Sequence, residues 1–541
     1  MADLKLAAVF SDNCVLQRGK NIALFGTGKE GSTVEAMLSG KVLGSLEEQT
    51  VKGRGIVKDG RFEFLLPPLR EGLEHKLTVT DGSETITLEN IAIGEVWLAG
   101  GQSNMELELQ NCAEKDALNR PADHMLRFYY TQKRAFIDEE FLRAEENTGW
   151  ECFGGQGTKA WSAVGYFFGE KLKSKLQVPV GIIGCNWGGT SASAWMPCDA
   201  MAEDKDLQTY LDIYEEAVKG KTREQQIREY EEYSVYQAEF DRKAAALYQE
   251  RPNIEWDEVQ SIVGESRYPG PMGCINPYRP GGLYECMLKR VMPYTLKGFL
   301  YYQGESDDHL PHLYHKLFSR MIRQWREDWK DDELPFLFVQ LPMHRYKQDP
   351  DFKHWCLIRE AQDRVYRTVR NTGMACAIDQ GEFNEIHPKR KSVVGERLYL
   401  QALEVAYGME DPNARAPRFT WAEVGEGELI LHIANVKGGF LASPDIPESE
   451  WPVGTNDVLF EVAGADSVYV PVDQWLGQET PEGTILRLRS AKVPEPVFAR
   501  YLWTNYSSGS LLYGKNWLPL APFRTSRKDG FTPGSSGNEM E

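Results

Sequence analysis

Two kinds of hydrophobic pattern divide the chain. Residues 1–90 and 409–528 contain short runs in which apolar and polar residues alternate, with Gly, Asp and Asn between them; examples are NIALFGTG and GRFEFLLPP near the start and TILRLRS near the end. A period of two is typical of half-buried strands separated by turns. Each of these regions is predicted to be a β-sandwich.

Between these regions, continuous apolar runs alternate with segments of helical spacing. The runs are EVWLAGG, MLRFYYTQ, VPVGIIGCNW, KGFLYYQG, LPFLFVQL and GMACAIDQG. Strands that are buried on both faces and separated by helices are typical of a parallel, doubly wound α/β sheet. The pattern predicts this sheet in two parts, residues 91–200 and 271–408.

Residues 201–270 interrupt the alternation. This stretch is rich in Glu, Lys, Arg, Gln and Ala, and Leu, Ile and Tyr recur in it at helical spacing, which predicts an inserted helical pair. Its tyrosines are expected to pack the hairpin itself, with a ligand-facing wall as the alternative: Tyr210, Tyr214, Tyr230, Tyr233 and Tyr236. Residues 529–541 are rich in Gly and Ser and are predicted to be a disordered tail.

Composition narrows the class of partner. The 541 residues require several domains, and 61 basic against 80 acidic residues give a net charge of −19, which argues against nucleic acid or an anionic membrane surface as the main partner. No apolar run reaches the roughly 18 residues of a membrane span. The nine cysteines form no CxxC pair, and the first residues lack the basic and apolar regions of a signal peptide. Reduced thiols and a cytoplasmic location are therefore predicted.

The ends of the predicted strands hold the candidate chemistry. Ligands of parallel α/β sheets bind beyond the carboxyl ends of the strands. The residues that follow these strands are Ser103, Gly188, Gly189, Gln303, Glu305, Gln340 and Asp379. A serine on a tight turn between a strand and a helix exposes its hydroxyl, and nearby backbone N–H groups can stabilise an oxyanion. Ser103 has this position, although a serine there can also be a helix N-cap.

Acyl transfer by serine also needs a base to accept the hydroxyl proton. Among the nine histidines, His387 follows the last predicted strand of the sheet across a short acidic loop, so it is expected on the same edge as Ser103. Its alternative role is to cap the helix that follows. The spacing of His309, His312 and His315 does not bring them together on one metal ion, and no metal site is predicted.

The complete set of motifs resembles the sialate O-acetylesterase family of the SGNH hydrolases over most of the chain. The motifs are FSDNCVLQR (10–18), GEVW (94–97), GQSNM (101–105), WGGT (187–190), AW (194–195), GLY (282–284), YQGES (302–306), QLP (340–342), REAQ (359–362), IHP (386–388) and PFR (522–524). The resemblance implies an SGNH-type, flavodoxin-like parallel sheet with flanking β-sandwich regions and a helical insertion. It also implies an esterase that needs no cofactor.

Roles for individual residues follow from this resemblance. Ser103 would be the nucleophile and His387 the general base. The oxyanion would be held by the backbone N–H groups of Ser103 and Gly189 and by the side-chain amide of Gln303. Residues expected around the substrate pocket are Gln102, Asn104, Glu305 and Trp195. Of these, Gln102 and Asn104 would also shape the turn, and bracing of the sheet edge is the alternative for Glu305.

The motifs leave several candidates for the carboxylate that would orient the His387 imidazole. SGNH enzymes usually carry Asp three residues before the histidine, and this family often carries it two residues before; here these positions are Asn384 and Glu385. Glu385 is the expected partner, with Glu382 and Asp379 as alternatives. A Ser–His dyad is also workable, because the third group mainly fixes the tautomer and orientation of the imidazole.

The resemblance therefore implies removal of acetyl esters from sugar hydroxyls through an acetyl-serine intermediate. The expected partner is an acetylated mono- or oligosaccharide, without nucleic acid, membrane or metal, and a homo-oligomer is compatible with this function. One alternative is an acetylxylan or xylo-oligosaccharide esterase with the same chemistry. The alternative from another class is a catalytically inactive carbohydrate-binding protein.

Overall fold

The computed structural model describes residues 3–251, 254–411, 413–436, 439–442, 459–481 and 483–528. The predicted disordered tail, residues 529–541, lies outside this part of the chain. Among the described helices, none combines the length and the apolar character that crossing a bilayer would require.

The N-terminal region consists of short strands in two sheets. They are β1 (Lys5–Leu6), β2 (Val15–Gln17), β3 (Ile22–Thr27), β4 (Thr33–Val42), β5 (Glu48–Ile56), β6 (Arg61–Leu66) and β7 (Gly72–Thr80), followed by β8 (Thr85–Gly101). Strands β1, β3 and β6 form one antiparallel sheet, while β4 pairs with both β5 and β7, and β7 pairs with β8. Because β8 runs without a break into the central sheet, the predicted domain boundary at residue 90 falls inside one strand.

The central sheet carries the strand ends on which the chemistry depends. Its further strands are β9 (Asp123–Tyr130), β10 (Glu151–Phe153), β11 (Val180–Asn186), β12 (Gly298–Tyr302), β13 (Phe336–Gln340) and β14 (Thr372–Cys376). The order is β10-β9-β11-β8-β12-β13-β14, and neighbours are parallel except for β10 against β9. Gly101 of β8 is level with Asn186 of β11 and Tyr302 of β12. The next residues of these three strands therefore meet at one edge.

Helices connect these strands and form the insertion. They are α1 (Ser103–Glu106), α2 (Glu139–Glu146), α3 (Ala163–Leu176), α4 (Cys198–Ala202), α5 (Gln208–Val218), α6 (Arg223–Glu250), α7 (Trp256–Val263), α8 (Lys289–Val291), α9 (Pro311–Asp328), α10 (His354–Thr368) and α11 (Ser392–Val405). Helices α5, α6 and α7 lie within the predicted insertion, whose helical character is thus present. Helix α9 buries one side of its surface in the core, including Leu317, Met321 and Trp325.

The C-terminal region returns to strands. They are β15 (Arg418–Gly425), β16 (Glu428–Ala434), β17 (Phe440–Ala442), β18 (Phe460–Ala463), β19 (Val470–Pro471), β20 (Gln474–Thr480), β21 (Gly483–Arg489), β22 (Phe498–Tyr501), β23 (Leu512–Gly514) and β24 (Phe523–Arg524). Two four-stranded sheets, β15-β16-β21-β20 and β19-β18-β22-β24, enclose a separate apolar core. Ile378, just beyond β14, packs into that core. The fold is thus mixed α/β, with a large mixed sheet between β-sandwich-like regions.

Candidate active site

Ser103 lies on the turn between β8 and α1. Gly101 ends β8 with φ +128°, and a Cβ there would lie 2.2 Å from the carbonyl oxygen of Tyr302, so the turn requires glycine at this position. Gln102 occupies the N-cap position, and the half-buried Ser103 is the first helical residue. The alternative interpretation of Ser103 as the helix N-cap is therefore wrong.

The side chain of Gln102 braces this turn. Its Oε1 accepts a hydrogen bond from the N–H of Ser306 at 3.2 Å, and its Nε2 donates to the Ser306 Oγ at 3.2 Å. Ser306 belongs to the loop after β12, so these bonds hold the turn against the neighbouring strand end. With only 2% of its surface exposed, Gln102 shapes the turn from beneath and does not line an open pocket.

Two consecutive glycines follow β11, and the first of them lies against Ser103. A Cβ on Gly188 would lie 3.2 Å from the Cβ of Ser103, and the N–H of Gly188 donates to Glu106 Oε2 at 2.6 Å. Gly189 has φ +72°, and a Cβ there would lie 1.8 Å from the hydroxyl of Tyr268. A side chain on Gly188 would crowd Ser103, and a side chain on Gly189 would meet Tyr268.

The backbone N–H groups of Ser103 and Gly189 donate to no other group within the described part of the chain. Both lie where the carboxyl ends of β8 and β11 meet. Two unengaged N–H groups beside a serine hydroxyl can stabilise the oxyanion of a tetrahedral intermediate.

Gln303, the third predicted donor, is already engaged. Its Nε2 donates to the carbonyl oxygen of Thr190 at 3.1 Å and to Asp307 Oδ2 at 2.6 Å, while its Oε1 accepts from the Tyr314 hydroxyl at 2.9 Å. A primary amide has two hydrogens, and both are used here. Gln303 would have to give up one of these bonds to reach an oxyanion, and its geometry is instead that of a brace for the strand ends.

Asn104 joins the Ser103 turn to the loop that carries His387. Its Nδ2 donates to the carbonyl oxygen of Ile386 at 2.9 Å and to Glu305 Oε1 at 2.6 Å. The structure therefore brings the residue before His387 into direct contact with the residue after Ser103. Asn104 itself is fully buried, so it positions this loop and does not line an open pocket.

Glu385 is the carboxylate nearest to the His387 imidazole, without forming a hydrogen bond to it. Glu385 Oε1 is 3.7 Å from His387 Nδ1, beyond hydrogen-bond length, and accepts the backbone N–H of His387 at 2.8 Å. Burial lowers the pKa of His387, while the charge of Glu385 opposes that decrease. The imidazole is therefore favoured in its neutral form, which a general base requires.

The other acid candidates are occupied elsewhere. Asp379 forms a bidentate ion pair with Arg397, at 2.5 and 2.8 Å, and both side chains are 8% exposed. Glu382 accepts the backbone N–H of Lys389 at 3.3 Å. Asn384 has φ +57°, and its side chain accepts the backbone N–H of Lys347, so it shapes the loop. Asparagine tolerates this left-handed conformation better than most residues.

Two residues expected around the pocket are buried. Trp195 is 0% exposed, and its Nε1 donates to Thr190 Oγ1 at 2.9 Å, so the prediction that it lines the substrate pocket is wrong: the ring belongs to the core. Glu305 is 5% exposed, and burial raises its pKa to about 6. Glu305 supports Asn104 from beneath, which agrees with the bracing alternative.

Tyr268 is a site residue that the sequence did not indicate. It follows α7, its hydroxyl lies against Gly189, and its ring packs edge-on to Tyr278 at a centroid distance of 5.5 Å. Tyr346 lies within electrostatic reach of Tyr268 and Glu385: burial raises its pKa to about 12, and Asp308, Tyr268 and Glu385 add to that rise. Neither tyrosine lies in a periodic segment or a motif, so only the fold reveals them.

The tyrosines of the insertion make contacts within the insertion itself. The Tyr236 hydroxyl donates to the carbonyl oxygen of Glu265 at 2.7 Å, and the rings of Tyr230 and Tyr233 are 5.4 Å apart. These contacts are those of residues that pack the hairpin. Across the described residues, no three His, Cys, Asp or Glu side chains are grouped so that they could hold a metal ion.

Comparisons with known proteins indicate the class of enzyme. Residues 273–403 match the family model "carbohydrate esterase, sialic acid-specific acetylesterase". The chain is 26% identical to the sialate O-acetylesterase of Mus musculus, over 96% of this chain and 94% of that protein. It is 25% identical to the Homo sapiens sialate O-acetylesterase, over 76% and 73%. A crystal structure of a carbohydrate acetylesterase from Xanthomonas citri covers 97% of this chain at 26% identity, with a TM-score of 0.72.

The similarities extend over nearly the whole chain and include the segment that carries Gln303, Glu305 and His387. They agree in the class of enzyme although they come from sequence and from structure. The resemblance predicted from the sequence is thereby confirmed, and the chain is an esterase related to the sialate O-acetylesterases.

Proposed function

We propose that the chain is a carbohydrate O-acetylesterase that removes acetyl groups from sugar hydroxyls through a serine acyl-enzyme. One observation carries this proposal: Asn104 ties the Ser103 turn to the His387 loop, next to the unengaged N–H groups of Ser103 and Gly189. This set supplies a nucleophile, a base and oxyanion donors at one sheet edge.

The reaction proceeds in two acyl transfers. His387 takes the proton of Ser103 Oγ as that oxygen attacks the acetyl carbonyl, and the oxyanion is held by the N–H groups of Ser103 and Gly189. Collapse of this intermediate breaks the bond to the sugar oxygen, which leaves with the proton from the His387 imidazolium. Water then attacks the acetyl-Ser103 ester with His387 again acting as base, which releases acetate and restores the serine.

In this proposal Glu385 assists His387 through its negative charge and not through a hydrogen bond to the imidazole. Glu385 is close enough to stabilise the imidazolium that forms in each transfer, but the 3.7 Å separation supports a Ser–His dyad with an electrostatic assistant. Gln303 and Glu305 brace the strand ends beneath. Removal of Gln303 would then affect the reaction through the position of Thr190 and the loop after β11.

The strand order supports an SGNH-type sheet. Without β9 and β10, which extend one edge, the parallel strands follow the order β11-β8-β12-β13-β14. In chain order this is 2-1-3-4-5, the flavodoxin-like arrangement, and Ser103 follows the first strand where the order reverses. The cytoplasmic location and a homo-oligomer stay predictions.

A neutral acetylated sugar, such as an acetylated xylo-oligosaccharide, is the second candidate substrate beside an acetylated sialic acid. Tyr268 and Tyr346 are 53% and 43% exposed, and Tyr268 lies against Gly189, so these rings are available to stack on a sugar.

Acetate release should be measured on acetylated sialic acids and acetylated xylo-oligosaccharides, with and without a serine-directed phosphonate. We expect turnover of at least one class and complete loss of activity after phosphonate treatment. Binding without turnover of any ester, p-nitrophenyl acetate included, would instead support the alternative of an inactive carbohydrate-binding protein.

A further inference from the structure

Lys391 is buried directly beneath the catalytic turn. It is 0% exposed, and its Nζ donates to Asn104 Oδ1 at 2.6 Å and lies 5.3 Å from the centroid of the Tyr302 ring. A buried ammonium group is strongly disfavoured unless it meets an acceptor or an opposite charge. The fold therefore retains a charged group at a place where an apolar side chain would be easier to bury.

Through Asn104, Lys391 is connected to both the Ser103 turn and the His387 loop. With Oδ1 bound to Lys391, the amide is oriented so that Nδ2 can reach Ile386 and Glu305. If the Oδ1 contact is lost, Nδ2 still meets its acceptors on Ile386 and Glu305, but the amide loses the bond that anchors its other end and is held less firmly. The position of His387 relative to Ser103 thus depends on Lys391.

We propose that Lys391 is a positioning residue of the esterase: it fixes the amide of Asn104, which holds the His387 loop against the Ser103 turn, and it places a buried positive charge beneath that turn. This proposal rests on the proposed function and deepens it, because it assigns a role to a residue that touches no substrate.

The charges around both groups support this role. Lys391 is acted on by Glu305, Lys389, Glu385 and the thiol of Cys112, and burial lowers its pKa to about 7. His387 is acted on by Glu385, Lys391, Lys389 and Glu106, and it lies near His344, whose pKa burial lowers to about 4. Between about pH 4 and pH 7, Lys391 is therefore mainly charged while His344 is mainly neutral.

The sign of the effect follows from these charges. A cation near the imidazole disfavours the imidazolium and lowers the pKa of His387. Removal of the cation raises that pKa, so the base becomes protonated at a higher pH. The acid limb of the profile of kcat/KM against pH must then move upward.

The test compares K391M with K389M. Lys389 is exposed, lies two residues away and also lowers the pKa of His387, so K389M removes the same formal charge from the solvent side. For K391M we expect kcat to fall about 10- to 100-fold with KM little changed. The midpoint of its acid limb should rise by about 0.5 to 1 pH unit.

Salt separates the two variants. At about 0.5 M NaCl, where the Debye length is roughly 4 Å, the shift in K389M should disappear and that in K391M should persist, because a buried charge is screened little. K391Q, which keeps an N–H donor for Asn104 Oδ1 without the charge, should show the same shift with a smaller loss of kcat.

The proposal is overturned if the folded K391M and K391Q proteins keep the acid limb of the unmodified enzyme. It is also overturned if these variants lower only the free energy of unfolding and leave kcat unchanged, because Lys391 would then serve stability alone. Failure of the proposed function looks different: the unmodified protein itself would release no acetate.

Discussion

Replacement of Glu385 by Gln separates a Ser–His dyad from a full triad. Gln keeps the shape and an oxygen that can accept the backbone N–H of His387, the contact that measures 2.8 Å with Glu385. The loop should therefore keep its conformation, and only the negative charge beside the imidazole is removed. We expect E385Q to lower kcat/KM about 6-fold near pH 7.5.

This magnitude comes from the geometry. Opposite charges 3.7 Å apart attract by about 1.1 kcal/mol in a water-like dielectric, and that value applies because the side chains of Glu385 and His387 are 39% and 36% exposed. Loss of about 1.1 kcal/mol of transition-state stabilisation corresponds to the 6-fold decrease. Because Glu385 raises the pKa of His387, its removal should also move the acid limb to lower pH.

The assay is initial-rate acetate release from an acetylated sugar across the pH range, for E385Q and for the control E382Q. Glu382 lies on the same loop but binds the backbone N–H of Lys389, so E382Q should keep the unmodified profile. A loss of about 10⁴-fold in E385Q, as expected for a triad acid that fixes the imidazole, would refute the dyad.

Three further results are expected. G189A should lower kcat/KM about 100-fold, because Ala at φ +72° is strained and its Cβ would meet the Tyr268 hydroxyl at 1.8 Å. Adding Y268F to G189A removes that hydroxyl and should restore part of the activity. If the double variant is no more active than G189A, this contact is not the cause of the loss. D379N should lower the free energy of unfolding by about 3 kcal/mol in urea titrations, because it leaves the buried Arg397 without its charge partner. The folded D379N enzyme should keep its kcat. A large fall in kcat would instead make Asp379 the acid of the site. In the unmodified enzyme, the acid limb of kcat/KM should have its midpoint below the usual 6.5 of histidine, because burial lowers the pKa of His387; a midpoint above 6.5 contradicts the neutral-base assignment.

The fold could largely be predicted because its sheet strands are buried on both faces. Continuous apolar runs such as VPVGIIGCNW and LPFLFVQL coincide with β11 (Val180–Asn186) and β13 (Phe336–Gln340). Burial on both faces leaves no room for alternation, which makes such strands easy to recognise. The continuity of β8 across two regions could not be predicted, because its first half is half-exposed and its second half is buried.

Only those parts of the site that follow directly from the order of the strands could be predicted from the sequence. Ser103 and Gly189 follow strands that are neighbours in the sheet, so their proximity follows from topology. The hydrogen bonds that engage the Gln303 amide involve Thr190, Asp307 and Tyr314, and only the tertiary structure shows these contacts. For the same reason the sequence could not show that Trp195 is enclosed or that Tyr268 covers Gly189.

The central claim, that Ser103 is the nucleophile, is tested most directly by acetate release from an acetylated sugar by S103A, next to S174A as a control on the exposed surface of α3. We expect kcat/KM to fall about 10⁴-fold or more in S103A and to be unchanged in S174A. Release of acetate by S103A at the rate of the unmodified enzyme would contradict it.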